Sequence, residues 1–345
     1  MSVSTTKLLM SKLLKVNPSE AAAQNELSWL AKKALEKHLV TSNEEPRKSS
    51  KPISKKLAKF REMRFHQKVK YSESIIPTYR RLQSGDDSIL PSLIDRMGKT
   101  HLKRLTSYVK RRSRNEPLQY ILGSQPFAGL DQFSIRRPVL IPRWETEWWT
   151  MKLIDTVKAA RPTRILDLCS GSGCIALALA KHLSPDLVVG VDVSVTARRT
   201  AIANQRGLKL SNAKFIAASI FDDALVPALV RDYGHFDLIV SNPPYVSTPD
   251  YELLDPSVKE WEDPLALRGG DDGLTFYKRI AEIWPHLIAP ASPSPVKLAM
   301  EIGDTQADAV SQLFTHSTDE RLGSAGHEVE VWKDLASKDR TVILK

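Results

Sequence analysis

The chain has 345 residues, 42% hydrophobic and 26% charged, which is enough for about two domains and excludes a disordered polymer. It contains no run of 18 uncharged apolar residues, which excludes an ordinary membrane helix. Two cysteines, Cys169 and Cys174, and eight scattered histidines argue against a disulfide framework or a zinc site, so a reducing compartment and no metal are expected.

The formal charge of +10 is spread unevenly. Residues 1–115 carry 26 Lys and Arg against 10 Asp and Glu, a net +16, while the remainder carries a net −6. Two readings of the basic first third stand side by side. One is contact with nucleic acid or an RNA-bound partner, and the other is a solvated helical surface with a basic linker.

Residues 1–18 hold Lys7, Lys12 and Lys15 and no acid. That fits a mitochondrial presequence, although arginine is absent, and it fits a first helix equally. Asn25 to His38 has apolar residues at helical spacing, with Asn25 as the expected cap. Residues 43–72 are rich in Lys, Arg, Ser and Pro and read as a basic, mobile insertion. Helices are expected again over Pro77–Gln83, Ser88–Met97 and Thr100–Arg112, so residues 1–125 form a small helical domain. A hairpin over Phe127–Ile135, within a linking segment 126–145, joins it to a second domain, 146–345. Thr146 and Glu147 are expected to open a helix over Trp148–Ala159.

The second domain begins with a strand over Thr163–Leu168 and a small-residue turn, Cys169-Ser170-Gly171-Ser172-Gly173. An apolar helix follows, and then a strand over Leu187–Val191 that ends in Asp192. This is a βαβ unit with an acid at the tip of its second strand. Glycines let the backbone approach a ligand, and Asp192 is suited to two ribose hydroxyls. The turn itself carries no Gly-Lys-Ser/Thr, so a phosphate-gripping P-loop is excluded there. Asp167, Gly171, Gly173 and Asp192 together point to an adenosine ligand without a pyrophosphate, namely S-adenosylmethionine. Further strands are expected over Lys214–Ala217, Phe236–Val240, Val296–Ile302, Glu328–Trp332 and Thr341–Leu344, with a helix over 274–289. The strand-only ending predicts a mostly parallel α/β sheet with an antiparallel edge.

The strand Phe236–Val240 runs through Ser241 into Asn242-Pro243-Pro244-Tyr245. Two prolines forbid both strand pairing and helix there, so the chain stops in a rigid extended shape. An asparagine and an aromatic ring are then held together at a strand tip. An Asn carbonyl and a backbone carbonyl can accept both hydrogens of an NH2 group while the ring covers its face.

With these motifs in place, the chain resembles the HemK/PrmC family of release-factor glutamine N5-methyltransferases, within the class I S-adenosylmethionine-dependent methyltransferases. The resemblance is carried by Pro117–Gly123, Ile141-Pro142-Arg143-x-Glu145-Thr146-Glu147, Leu166–Gly173 and Asn242–Tyr245. Glu262–Leu267 with Gly269–Leu274, and Lys333–Arg340, add to it. It implies a Rossmann-like seven-stranded domain behind a helical substrate-recognition domain. It also implies methyl transfer to the side-chain amide of the Gly-Gly-Gln glutamine in a class 1 peptide chain release factor. Asn242, Pro243, Pro244 and Tyr245 would be the catalytic group. Asp167, Cys169, Ser170, Gly171, Ser172, Gly173, Asp192, Ser219, Ile220 and Asn242 would contact S-adenosylmethionine.

Three positions depart from the family pattern. Trp144 replaces a usual proline, Cys169-Ser170 replaces Gly-Thr or Gly-Cys, and Ser219 stands where an acid commonly receives the adenine amino group. The competing reading is a nucleic-acid amino N-methyltransferase acting on adenine N6 or guanine N2, and a third is a non-enzymatic adaptor. Neither a separate target-recognition domain nor a decayed glycine turn is present to favour them. The expected protein is a monomer, without stable DNA binding or membrane attachment, in mitochondria or otherwise in the cytoplasm.

Overall fold

The computed structural model describes residues 5–17, 19–36, 75–315 and 328–345. The basic segment 43–72 lies outside the described residues. The chain divides into two compact units, Met1–Leu122 and Gly123–Lys345.

The first unit is helical. Thr5–Leu13, Glu20–Leu35, a helical stretch over 75–83, Leu90–Arg96, Lys99–Arg112 and Leu118–Leu122 enclose one apolar core. Leu13, Leu27, Leu30, Leu93, Leu105 and Val109 are fully buried in it. The Lys-rich start of the chain therefore contains a core helix, with Leu9 and Leu13 buried. The second helix starts earlier than its apolar spacing indicates. Ser19, not Asn25, is its cap, and its Oγ accepts from the Ala22 amide at 3.2 Å. The buried Glu26 is compensated by Arg112 Nε at 3.0 Å and by Asn17 Nδ2 at 2.9 Å.

The second unit opens with a two-stranded hairpin, β1 (Ser124–Phe127) and β2 (Leu130–Ser134). Asn204 fastens it to the helix Val195–Gly207, its side chain accepting from the Ser134 amide at 2.8 Å and donating to the Ser134 carbonyl at 3.1 Å. Seven strands follow: β3 (Arg164–Leu168), β4 (Leu187–Asp192), β5 (Ala213–Ala217), β6 (Leu238–Ser241), β7 (Leu298–Glu301), β8 (Val329–Lys333) and β9 (Asp339–Leu344). They form one sheet in the order β5-β4-β3-β6-β7-β9-β8. The first five are parallel, and β9 runs antiparallel between β7 and β8. β6 and β7 are buried throughout and β4 over its interior, as strands covered by helices on both faces must be. This is the Rossmann-like α/β fold expected. The order reverses between β3 and β6, so the tips of β3, β4, β6 and β7 converge on one crevice.

Candidate functional site

The crevice holds a cavity of about 250 Å³. Cys169, Gly171, Asp192, Ser219, Ile220, Asn242 and Pro244 line it, all of them anticipated from the sequence. Asp192 is held at the tip of β4 by the Gly171 amide on Oδ2 at 2.7 Å and the Ser194 amide on Oδ1 at 2.8 Å. Burial raises its pKa, and those two amides oppose the shift. Each oxygen keeps a lone pair for a ligand hydroxyl.

Other anticipated residues lie behind the cavity wall and not on it. Asp167 is fully buried; its Oδ2 accepts from the Ala176 amide at 3.2 Å and its Oδ1 has no partner. Desolvation pushes its pKa well up. Ser170 and Ser172 are buried with unpaired hydroxyls. Gly173 has φ +79°, and an added Cβ would stand 2.9 Å from both Ala201 Cβ and the Phe215 ring. Its place is therefore set by packing of the helix Cys174–His182. Cys169 adopts φ +60°, the left-handed region, where a glycine would sit without strain.

Sequence reading missed much of the apolar wall. Val139, Val193, Phe221 and Phe276 also line the cavity, and the last two rings meet edge to face at 5.2 Å. Phe221 directly follows Ile220, so the β5 exit carried a signal for it. Ser219 Oγ accepts from the Phe221 amide at 3.2 Å, which shapes this wall and leaves the hydroxyl hydrogen available.

The tetrapeptide is braced from behind. Val246 and Gly269 exchange backbone hydrogen bonds with the Leu267–Gly269 segment and Val246 respectively, at 2.9 and 2.8 Å. Gln306 Nε2 donates to the Tyr245 carbonyl at 3.0 Å. Residues 262–274 shape the cavity mouth through Asp263, Leu265 and Ala266, and they also supply this brace. Asn242 Nδ2 donates to Thr146 Oγ1 at 3.3 Å, and the Tyr245 hydroxyl lies 3.5 Å from Glu301 Oε1. Thr146 does not open its helix as expected. The helix is Trp144–Val157, and Thr146 is buried as the third residue of its first turn.

The residues present fit an adenosine-bearing cofactor. A fixed carboxylate, an open face at Gly171 where an added Cβ would meet nothing within 4 Å, and an apolar slot sit in one cavity. Fold and cavity define a class I methyltransferase, with S-adenosylmethionine as its cofactor. The model of the methyltransferase small domain family matches residues 149–258. The release factor glutamine methyltransferase of Geobacter sulfurreducens is 42% identical over 209 residues, covering 61% of this chain and 68% of that one. A Schizosaccharomyces pombe protein named probable MRF1 mitochondrial N(5)-glutamine methyltransferase mtq1 is 32% identical over 255 residues, covering 70% and 79%. Among solved structures, the ribosomal protein L11 methylase of Lactobacillus delbrueckii subsp. bulgaricus is similar at a TM-score of 0.42 and 16% identity, covering 64% of this chain and 89% of that one. The chain belongs to the release factor glutamine methyltransferase family.

Proposed function

We propose that this enzyme methylates the side-chain amide nitrogen of the glutamine in the Gly-Gly-Gln motif of a class 1 peptide chain release factor. The observation that carries the reading is Asn242, at the tip of β6, lining the same cavity as Asp192 and Gly171. S-adenosylmethionine, when bound, supplies an electrophilic sulfonium methyl group. An amide nitrogen is a poor nucleophile because its lone pair is delocalised, so the protein's contribution is positioning. The Asn242 side-chain carbonyl and the Pro243 backbone carbonyl accept the two amide hydrogens. Tyr245 packs on the amide plane, and Pro244 closes the wall beside it. Asp192 takes the ribose hydroxyls, Ile220 and Phe221 flank the adenine, and Ser219 offers it a hydroxyl. Asp167, Ser170, Ser172 and Gly173 support the glycine turn and do not contact the cofactor directly, whereas Cys169 and Gly171 meet it.

The helical unit would recognise the body of the release factor. The +16 charge of residues 1–115 supports an acidic face on that partner, with an attraction that fades as salt rises. The fission-yeast relative's name supports a mitochondrial site of action. Label transfer from S-adenosylmethionine to an intact release factor, to its Gly-Gly-Gln glutamine variant and to DNA, run side by side, tests the substrate. Label on the intact factor alone is expected; label on DNA or on the glutamine variant would contradict the reading.

A further inference from the structure

One buried carboxylate in the second unit has no part in the reaction as described so far. Glu301 ends β7, and because Ser241 of β6 pairs with Met300, Glu301 stands beside Asn242. It is 1% exposed. Glu301 Oε2 accepts the Thr146 hydroxyl at 2.6 Å and the Trp149 indole N–H at 2.8 Å. Thr146 Oγ1 in turn accepts from Asn242 Nδ2 at 3.3 Å.

The direction of this chain is forced. An indole N–H can only donate, so Glu301 Oε2 must be an acceptor. Threonine has one hydroxyl hydrogen, and it is committed to that oxygen. Toward Asn242, Thr146 therefore offers only lone pairs. The Asn242 NH2 must face Thr146, which leaves the carbonyl at the other end of the amide. The two ends of an amide have nearly the same shape, so only partner chemistry decides between them.

We infer that Glu301 and Thr146 are positioning residues: a relay anchored on Trp149 that fixes which end of the Asn242 amide meets the methyl acceptor. The inference rests on Asn242 accepting the substrate's amide hydrogens. With Asn242 turned over, an NH2 would confront an NH2, two donors without an acceptor. The relay depends on the polarity of Glu301 and not on its charge: two donors, Trp149 and Thr146, meet at Oε2, so a proton on this carboxyl belongs on Oε1, where the Tyr245 oxygen 3.5 Å away can accept it.

The test is steady-state methylation of a release factor by the full chain, with cofactor affinity measured by calorimetry. Thr146→Val keeps the shape and loses the hydroxyl, so kcat should fall about 10- to 100-fold, with cofactor affinity and the KM for release factor within about twofold. Thr146→Ser restores the hydroxyl and should stay within about fivefold of wild type. Glu301→Gln should do so too, since its amide oxygen must turn to Trp149. A Thr146→Val enzyme within about threefold of wild type would overturn the relay, as would a serine or Glu301→Gln variant as slow as the valine one. A second readout is independent of turnover. In protein carrying isotope-labelled asparagine, the Asn242 side-chain amide signal is identified by its loss in Asn242→Ala. One of its protons should be protected from exchange in wild type and in Thr146→Ser, and not in Thr146→Val. An Asn242 amide that exchanges like a free one in wild type overturns the relay even if Thr146→Val does not fold. If wild type leaves the release factor unmethylated yet shows that protection, the substrate reading fails and the relay stands.

Discussion

Arg143 Nη2 donates to Glu262 Oε1 at 2.6 Å, and the other oxygen of that carboxylate accepts from the Ile141 amide at 3.2 Å. Two segments about 120 residues apart in sequence, Ile141–Glu147 and Glu262–Leu267, are thus one structure at the cavity mouth. The Glu262 side chain is 1% exposed, and burial raises its pKa against the pull of Arg143. Glu262→Ala would strand a guanidinium and a backbone amide. It should cost about 2–4 kcal/mol in denaturant-melt stability and loosen cofactor binding.

Asp192→Ala should weaken S-adenosylmethionine binding by roughly 1.5–3 kcal/mol, about 10- to 150-fold, because two ribose hydroxyls lose a charged acceptor. The Gly171 and Ser194 amides lose theirs as well. Unchanged affinity by calorimetry would mean that the ribose lies elsewhere.

Asn242→Ala should remove most turnover while the sheet stays folded, since the residue lies just beyond the end of a buried strand. Tyr245→Ala should also slow transfer by loosening the amide plane. Near-normal transfer in both would reduce the tetrapeptide to a turn.

Gly273 has φ +73°, and an added Cβ would stand 2.5 Å from the Tyr245 carbonyl oxygen. Gly273→Ala should therefore push on the tetrapeptide, lowering stability by about 1–3 kcal/mol and kcat together. A fully active, equally stable variant would show that this loop is not a brace.

Burial raises the pKa of Glu301 above its ordinary 4.5, with Thr146 and Trp149 opposing the shift. A raised carboxylate binds its proton more tightly in the folded state, so its contribution is full below 4.5 and is lost as pH rises through the folded value. The melting temperature of Glu301→Gln relative to wild type should accordingly climb as pH rises above 4.5 and level off once pH passes the folded value, as thermal scans against pH would show. A constant difference would mean that the carboxylate is not destabilised by burial.

The strand and helix order of the second unit was legible because its parallel strands are short apolar runs punctuated by glycine, proline and acid. The tips of those strands, and hence Gly171, Asp192 and Asn242, followed from the same pattern. What escaped was set by contacts remote in sequence. Thr146 reads as a helix opener because threonine favours caps, yet its partner Glu301 lies 155 positions away. Glu301 itself reads as the penultimate residue of the apolar strand expected over Val296–Ile302. The turn 169–173 looks uniformly ligand-facing, but its backbone alternates, sending Gly171 to the cavity and Gly173 against Phe215. Asn25 offered a plausible cap, while Ser19, before a run of good helix formers, was the better one.

The most direct test of the account is to incubate the full chain with S-adenosylmethionine and a release factor, then locate the modification by tandem mass spectrometry. A single methyl group is expected on the side-chain amide of the Gly-Gly-Gln glutamine, absent when Asn242→Ala replaces the wild type. A methyl group on any other residue, or an unmodified glutamine beside an enzyme that binds its cofactor, would contradict it.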